Sequence, residues 1–218
     1  MKLIVVMNVF NEAPTIGAAI DSVIEHVDEI HVFDGAYKHF PHEYPYSTDG
    51  TKEICESYGS KVVFHETKEA WTDQIEKRTA MFVGKPGDYY FKLDGDEWVS
   101  NPELLREYLE RDVGYIWVNS NLYPHQYVVA RIFKHRNGMH YAGRHHWLYD
   151  GDNNFITSDQ KSNPELTNIT TPISIFNLRR KERESTKSEF VAKRNMSELT
   201  YPDENSVYSK NINIVVTI

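Results

Sequence analysis

The stretch YYFKLDGDEWV, residues 89–99, carries three carboxylates in four positions, Asp94, Asp96 and Glu97, directly behind a run of apolar and aromatic side chains. Like charges at this spacing repel unless a cation sits between them or water separates them. Asp94-Gly95-Asp96 offers hard oxygen donors on a tight turn, suited to Mg2+ or Mn2+ that also coordinates a substrate's phosphates. The later acidic positions of an EF-hand loop are absent.

Other polar clusters also follow apolar runs. Asn8-Val9-Phe10-Asn11-Glu12 comes after LIVVMNV, and Asp34-Gly35 ends EIHVFDG. Asn11-Glu12, before Pro14, reads either as a ligand contact or as a capping arrangement for the helix that follows. Asp34 reads either as a turn or cap residue or as a carboxylate accepting N–H or O–H bonds from a base or ribose. Ser47-Thr48-Asp49-Gly50-Thr51 reads as a turn and N-cap. Arg78 either supplies charge to a diphosphate or lies on a solvated helix face. His145-His146 are adjacent on a strand and point to opposite faces, so at most one reaches a metal. Trp71, Trp98, Trp117 and Trp147 either stack on sugar rings or pack in the core.

The elements that must position these residues follow from periodicity. Residues 3–9 form a strand, and APTIGAAIDSVIEHV has helical apolar spacing at Ile16, Ala19, Ile20, Val23 and Ile24. EIHVFDG, KVVFHE and DYYFKLDGD read as further strands. TKEICESYG reads as a helix closed by Gly59, WTDQIEKRTAMFVG as a helix stopped by Gly84 and Pro86, and NPELLREYLERD as a helix with Asn101 at its N-cap and Pro102 first inside. Alternation of this kind predicts an α/β fold: a Rossmann-like, mostly parallel sheet with helices on both faces and ligands beyond the carboxyl ends of its strands. From about residue 113, VGYIWVNSNLY, QYVVARIFKH and MHYAGRHHWLYD predict a mixed, aromatic-rich extension. The stretch from Arg179 to Arg194 interleaves basic residues with Glu182, Glu184 and Glu189 and reads as a salt-laced solvated helix, and NINIVVTI reads as an edge strand.

Composition bounds the function. The 218 residues, 40% hydrophobic and 13% aromatic, suffice for one domain, or one domain with a small appendage. A net charge of -8 argues against a surface that broadly neutralises a phosphate backbone, so nucleic acid is not the default partner. The single cysteine, Cys55, forms neither an intramolecular disulfide nor a Cys-pair zinc site. MKLIVVMNVF reads as a strand rather than a signal peptide, and no segment approaches the roughly 18–20 apolar residues of a membrane helix, so a cytoplasmic location is expected.

Together these segments resemble a known group. VVMNVFNEAPTI is similar to the opening of family 2 glycosyltransferases of the GT-A fold, VFDG with the later STDGT to their V-D-D-G-S-x-D-G-T segment, and YYFKLDGDEWV to their D-x-D region. ARIFKHRNGMHYAGRHHWLY is similar to the R-L-F-R-N-x-x-x-I-x-Y-x-G-R-V-H-E segment of one bacterial subgroup. The resemblance implies a GT-A-like catalytic domain over 1–178, with a nucleotide-sugar half (1–100) and an acceptor-side half (101–178), followed by the basic helix and tail (179–218). It implies metal-dependent transfer from a nucleoside-diphosphate sugar, UDP-sugar favoured. The base is expected near Phe10, Glu12 and Asp34, with Val9, Asn11, Arg78 and Gly95 also around the donor. Mn2+ or Mg2+ is expected on Asp94 and Asp96, with His146 as a further ligand.

The departures from the pattern are specific. Gly35 replaces the family's second Asp, and the insertion AYKHFPHEYPY follows it, suggesting an aromatic loop at the donor or acceptor mouth. Trp147 replaces the Glu after the subgroup's histidine. The base that an inverting transferase needs then falls to Asp150 or Asp152; otherwise the route is retaining, or catalysis is lost. A glycan, lipid, protein or nucleic-acid acceptor all remain open. The rival readings are a nucleotidyltransferase, whose usual Gly-rich phosphate loop VMNVFNEAP lacks, and a non-catalytic nucleotide-sugar or glycan-binding module.

Overall fold

Alternation along the first strand sets the architecture. β1 (Leu3–Asn8) sends Leu3, Val5 and Met7 into one core cluster and Ile4 and Val6 into another. Successive residues of a strand face opposite ways, so the sheet is buried on both sides. The computed structural model describes residues 1–121, 127–144, 147–157, 163 and 166–177; Met1–Arg179 form one compact unit.

From β1 the chain passes through α1 (Ala13–Asp21), β2 (Glu29–Phe33), α2 (Thr51–Ser57), β3 (Val62–His65), α3 (Gln74–Ala80) and β4 (Tyr89–Asp94). It continues through β5 (Glu97–Ser100), α4 (Leu105–Leu109), β6 (Tyr115–Asn121), β7 (Tyr127–Lys134), β8 (His140–Tyr141), β9 (Leu148–Tyr149), β10 (Phe155–Thr157) and β11 (Asn168–Asn177). The main sheet has the order β3-β2-β1-β4-β7-β6-β11-β5, and a second sheet the order β10-β9-β8. β3, β2, β1 and β4 are parallel, β7 is antiparallel to β4 and β6, β11 is parallel to β6, and β5 closes the edge antiparallel to β11. The expected mostly parallel sheet with a mixed extension is what the chain forms. The chain moves outward from β1 to β3 and then returns to β4 on the other side of β1. That reversal opens a crevice at the carboxyl ends of β1 and β4.

Helices are shorter than the periodicity suggests. The Ser22 hydroxyl donates to the Ala19 carbonyl (2.7 Å) and accepts from the Val99 amide (3.2 Å), so the residue that would extend α1 ties down β5 instead. A single 3-10 turn, Ile24–His26, follows. Asn101 does not cap its helix: it is left-handed (φ 56°), its side-chain Nδ2 donates to the Pro172 carbonyl (3.2 Å), and Pro102–Leu104 begin as a 3-10 turn before α4. α3 starts at Asp73, whose carboxylate accepts from the Glu76 amide (2.9 Å). Among the described residues no helix is long and apolar enough to cross a membrane. The expected basic helix, the NINIVVTI strand and the His145-His146 pair lie outside the described residues.

One contact between strands is sensitive to protons. His31 Nδ1 and His65 Nε2 lie 2.8 Å apart on neighbouring β2 and β3, and one ring nitrogen donates to the other. Burial, and then the charge of His31, holds His65 below its ordinary 6.5. The unfolded chain therefore takes up a proton at His65 more readily than the folded chain. Stability is expected to fall as pH drops through 6.5 and to level off below the folded value. His65→Leu is expected to lose about 1 kcal/mol at pH 8 and to show a shallower loss on acidification; thermal unfolding between pH 8 and 5 measures both.

Candidate functional site

The first turn of α1 has no cap of its own. Glu12 occupies the N-cap position without a side-chain cap bond; its carboxylate instead accepts from the Thr15 hydroxyl (3.0 Å). The orphan amides are met by the STDGT turn. Asn11 N–H donates to Ser47 Oγ (2.7 Å), Glu12 N–H to Thr51 Oγ1 (2.8 Å) and Ala13 N–H to Asp49 Oδ2 (3.0 Å). Asp49 also accepts from the Thr51 amide and hydroxyl. Burial raises its carboxyl, and these donors outweigh that and hold it below 3.8. Asn11 itself is left-handed (φ 53°), and its Oδ1 accepts from the Thr48 amide (3.0 Å). The turn is thus the trans-acting cap of α1 and the wall of the β1 loop.

Asp34 follows β2 at 1% exposure, and its oxygens accept from the Ser47 amide (2.8 Å) and hydroxyl (2.6 Å). Burial pushes this carboxyl up, and the Ser47 donors partly offset it. Each Asp34 oxygen thus accepts one bond from Ser47. The Asp-to-Gly departure at Gly35 has a steric cause. Gly35 has φ +118°, and a Cβ there would meet Thr67 Cγ2 at 2.2 Å and Trp71 Nε1 at 2.9 Å. That indole N–H donates to the Asp34 carbonyl (2.7 Å), so Trp71 ties down the loop after β2.

The acidic turn after β4 divides into parts with different environments. Glu97 is 1% exposed and forms an ion pair with buried Arg131 of β7 (2.8 Å), while its other oxygen accepts from the Asp94 amide (2.8 Å). Burial raises the Glu97 carboxyl to about 7 against the pull of Arg131. Asp96 is 0% exposed, and Asp94 is half-buried at the crevice. Gly95 brings the turn against the β1 loop: a Cβ there would meet Val9 Cγ1 at 2.6 Å and Glu12 Cγ at 3.4 Å, and its amide donates to the Asn8 carbonyl (3.4 Å). Among the described residues no group of three or more His, Cys, Asp or Glu side chains is arranged to hold a metal. Two hard carboxylates on one turn nevertheless fit a cation that takes one or two protein ligands and fills its shell with water and phosphate.

Around these acids stand Arg78, a candidate from the sequence, and two residues with no signal there, Lys77 and Tyr37. Lys77 of α3 is 0% exposed, and its Nζ donates to the carbonyls of Val9 (2.8 Å) and Gly35 (2.7 Å). Burial lowers its ammonium to about 7, opposed by the fields of Asp34, Asp94 and Glu12. Its ring neighbour is Tyr37 (5.5 Å to the centroid), whose hydroxyl accepts from Asn8 Nδ2 (3.0 Å). Arg78, half-buried, lies close enough to favour the Tyr37 phenolate, although burial is the larger influence and raises that hydroxyl to about 12. Nothing in the sequence separates Lys77 from the other charges around it.

The aromatic insertion closes on itself through the Ala36 amide and the Pro45 carbonyl (2.9 Å). Phe10 meets Phe40 and His42 edge to face at 6.2 and 6.5 Å. Between this loop and Phe10-Asn11 lies an open cavity of about 300 Å³, walled also by His42, Tyr44, Tyr46 and Thr48.

Asp150 and Asp152 are not brought to this crevice. Asp150 Oδ1 accepts from the Asp152 and Asn154 amides within the β9–β10 turn, and Gly151 N–H donates to the Asn137 carbonyl (2.9 Å). The segment leading to Asn137 leaves β7 beside the start of β4, where the His135 amide donates to the Asp88 carbonyl (2.7 Å). Tyr89 pairs with Lys134, so the segment that contacts this turn leaves β7 at the end of β4 opposite Asp94, about 16 Å along the strand. His146 lies outside the described residues.

Residues 4–183 match the family model described as Glycosyl transferase family 2. Among solved structures, S. aureus TarS 1–349 in complex with UDP-GlcNAc is similar at 18% identity and a TM-score of 0.46, over 57% of this chain and 36% of that one. Glucosyl-3-phosphoglycerate synthase from Mycobacterium tuberculosis, in complex with Mn2+, UDP and glucosyl-3-phosphoglycerate, is similar at 23% identity and a TM-score of 0.32, over 56% and 44%. Each match spans less than half of the solved chain. No curated protein matches.

Two substitutions test the local geometry. Gly35→Ala is expected to cost roughly 2–4 kcal/mol, from the left-handed backbone and the clash with Thr67 and Trp71. Arg131→Met is expected to cost roughly 3–5 kcal/mol by stranding Glu97, and Arg131→Met with Glu97→Met to recover most of that loss. Urea unfolding of the variants reads both.

Proposed function

The chain belongs to glycosyl transferase family 2, and on that premise we propose that it transfers a sugar from a nucleoside-diphosphate donor, UDP-sugar favoured, with the help of Mn2+ or Mg2+. The observation that carries this reading is the packing of Gly95 against Val9 and Glu12, which joins the acidic turn of β4 to the loop of β1 at the reversal point of the sheet. Asp94 and Asp96 are the residues that would hold the cation. When bound, the cation neutralises the charge that develops on the departing diphosphate and so lowers the barrier to breaking the sugar C1–O bond.

The chain's own residues divide the remaining work. The cavity between Phe10-Asn11 and the aromatic insertion takes the base, where ring faces offer stacking area and exclude water. Arg78 faces the diphosphate with a fixed positive charge. Asp34 acts through Ser47, holding the wall of the β1 loop rather than meeting the base directly. Asp150 and Asp152 take no part in proton transfer in this reading, which the bond of their turn to Asn137, past the end of β7, supports.

Calorimetric titration with UDP, GDP, CDP and ADP, with and without Mn2+, tests the proposal. One nucleotide is expected to bind only with the metal, and Asp94→Asn to weaken that binding by a factor of ten or more without shifting the unfolding temperature by more than a few degrees. Equal affinity with and without metal, or an Asp94→Asn variant that binds as the wild type does, would overturn the assignment.

A further inference from the structure

Lys77 has no role in the donor reading above, yet it is among the most enclosed charged groups of the described chain. An ammonium is strongly hydrated in water, and removing that hydration is costly unless hydrogen bonds and opposite charge replace it. Here both do. Its two carbonyl partners, Val9 O at 2.8 Å and Gly35 O at 2.7 Å, belong to different loops, one beyond β1 and one beyond β2. The Gly35 amide donates to Val9 O (3.2 Å), and Lys77 adds a second bond to that same carbonyl oxygen, beside the side-chain contacts of Asn8 with Tyr37 and of Phe10 with Phe40. The acids whose fields act on the ammonium, Asp34, Asp94 and Glu12, come from the ends of β2 and β4 and the start of α1. They include the residues expected at the donor, and three negative charges there would repel a diphosphate.

We propose that Lys77 is a positioning residue of the donor crevice: it ties the β1 loop to the β2 loop and offsets the carboxylate charge beneath the position of the donor diphosphate. The tie is a claim about the chain itself. Its effect on ligand uptake rests on the donor reading given above.

Lys77→Met tests this, because methionine is unbranched and close in length, fills the same space and carries neither donor nor charge. If Lys77 only filled volume, the variant would be neutral or more stable, with unchanged loops. Instead, the amides of Val9, Gly35 and Ala36, all hydrogen-bonded, are expected to exchange with solvent at least tenfold faster, while amides in the middle of β1 and β4 keep wild-type rates. UDP affinity measured with Mn2+ is expected to fall at least tenfold. Wild-type exchange in these loops, or UDP affinity within threefold of wild type, overturns the proposal. If Lys77→Met does not fold, Asp34→Asn with Lys77→Met restores the charge balance, and the same comparisons are made against Asp34→Asn alone. Should the wild-type protein take up no nucleoside diphosphate, the donor reading fails by itself, and the exchange rates alone decide the tie between the loops.

Discussion

Negative charge held out of water at the carboxyl ends of parallel strands is the constraint on which this site depends. Glu12, Asp34, Asp96 and Glu97 are all buried, and Asp94 is half-buried beside them. Left unbalanced, such a set would drive the strand ends apart or force the groups to stay protonated. The chain meets these carboxylates in different ways. Asp34 accepts two hydrogen bonds from Ser47, Glu12 accepts one from Thr15, Glu97 pairs with Arg131, and Lys77 lies within the fields of three of the acids.

These local solutions explain the connectivity around the crevice. Arg131 comes from β7, antiparallel to β4, so the ion pair with Glu97 couples the acidic turn to the mixed half of the sheet. Ser47 and Asp49 from the turn before α2, and Thr51 from its first position, accept from the amides of Asn11, Ala13 and Glu12 at the entry to α1, so the two helices are joined by these caps as well as by packing. Gly35 and Gly95 are needed where chains approach too closely for a Cβ: the first against Thr67 and Trp71, the second against Val9. The insertion after Gly35 closes through the Ala36 amide and the Pro45 carbonyl and walls a cavity next to Phe10.

Much of the fold was legible in the sequence because local signals and tertiary packing agree. The strand-helix alternation through residue 94 appears in order, and Gly59 closes α2 as its composition suggests. Disagreements arise where a side chain serves a distant element. Ser22 breaks the helical run to hold Val99, and Asn101 turns left-handed to reach Pro172. At Asp34, where the resemblance carries an expectation of a nucleotide contact, the fold adds a partner that the sequence does not reveal: Ser47 donates one bond to each carboxylate oxygen. Asp150 and Asp152 were candidates by nearness in sequence to Trp147, but a two-strand hairpin carries the chain away before they occur.

The sequence by itself determined the order of elements, the burial of the sheet on both faces and the placing of polar clusters at strand ends, since these follow from periodicities of two and 3.6 residues and from turn chemistry. Only the tertiary structure decided which of those polar groups face a crevice and which neutralise one another. Glu97 is internal because Arg131 arrives from a strand 34 residues later, and Lys77 is buried because two loops present it with carbonyls from positions 68 and 42 residues away. A charge has no periodicity that reveals its partner; its environment is set by long-range contacts that exist only once the sheet is assembled.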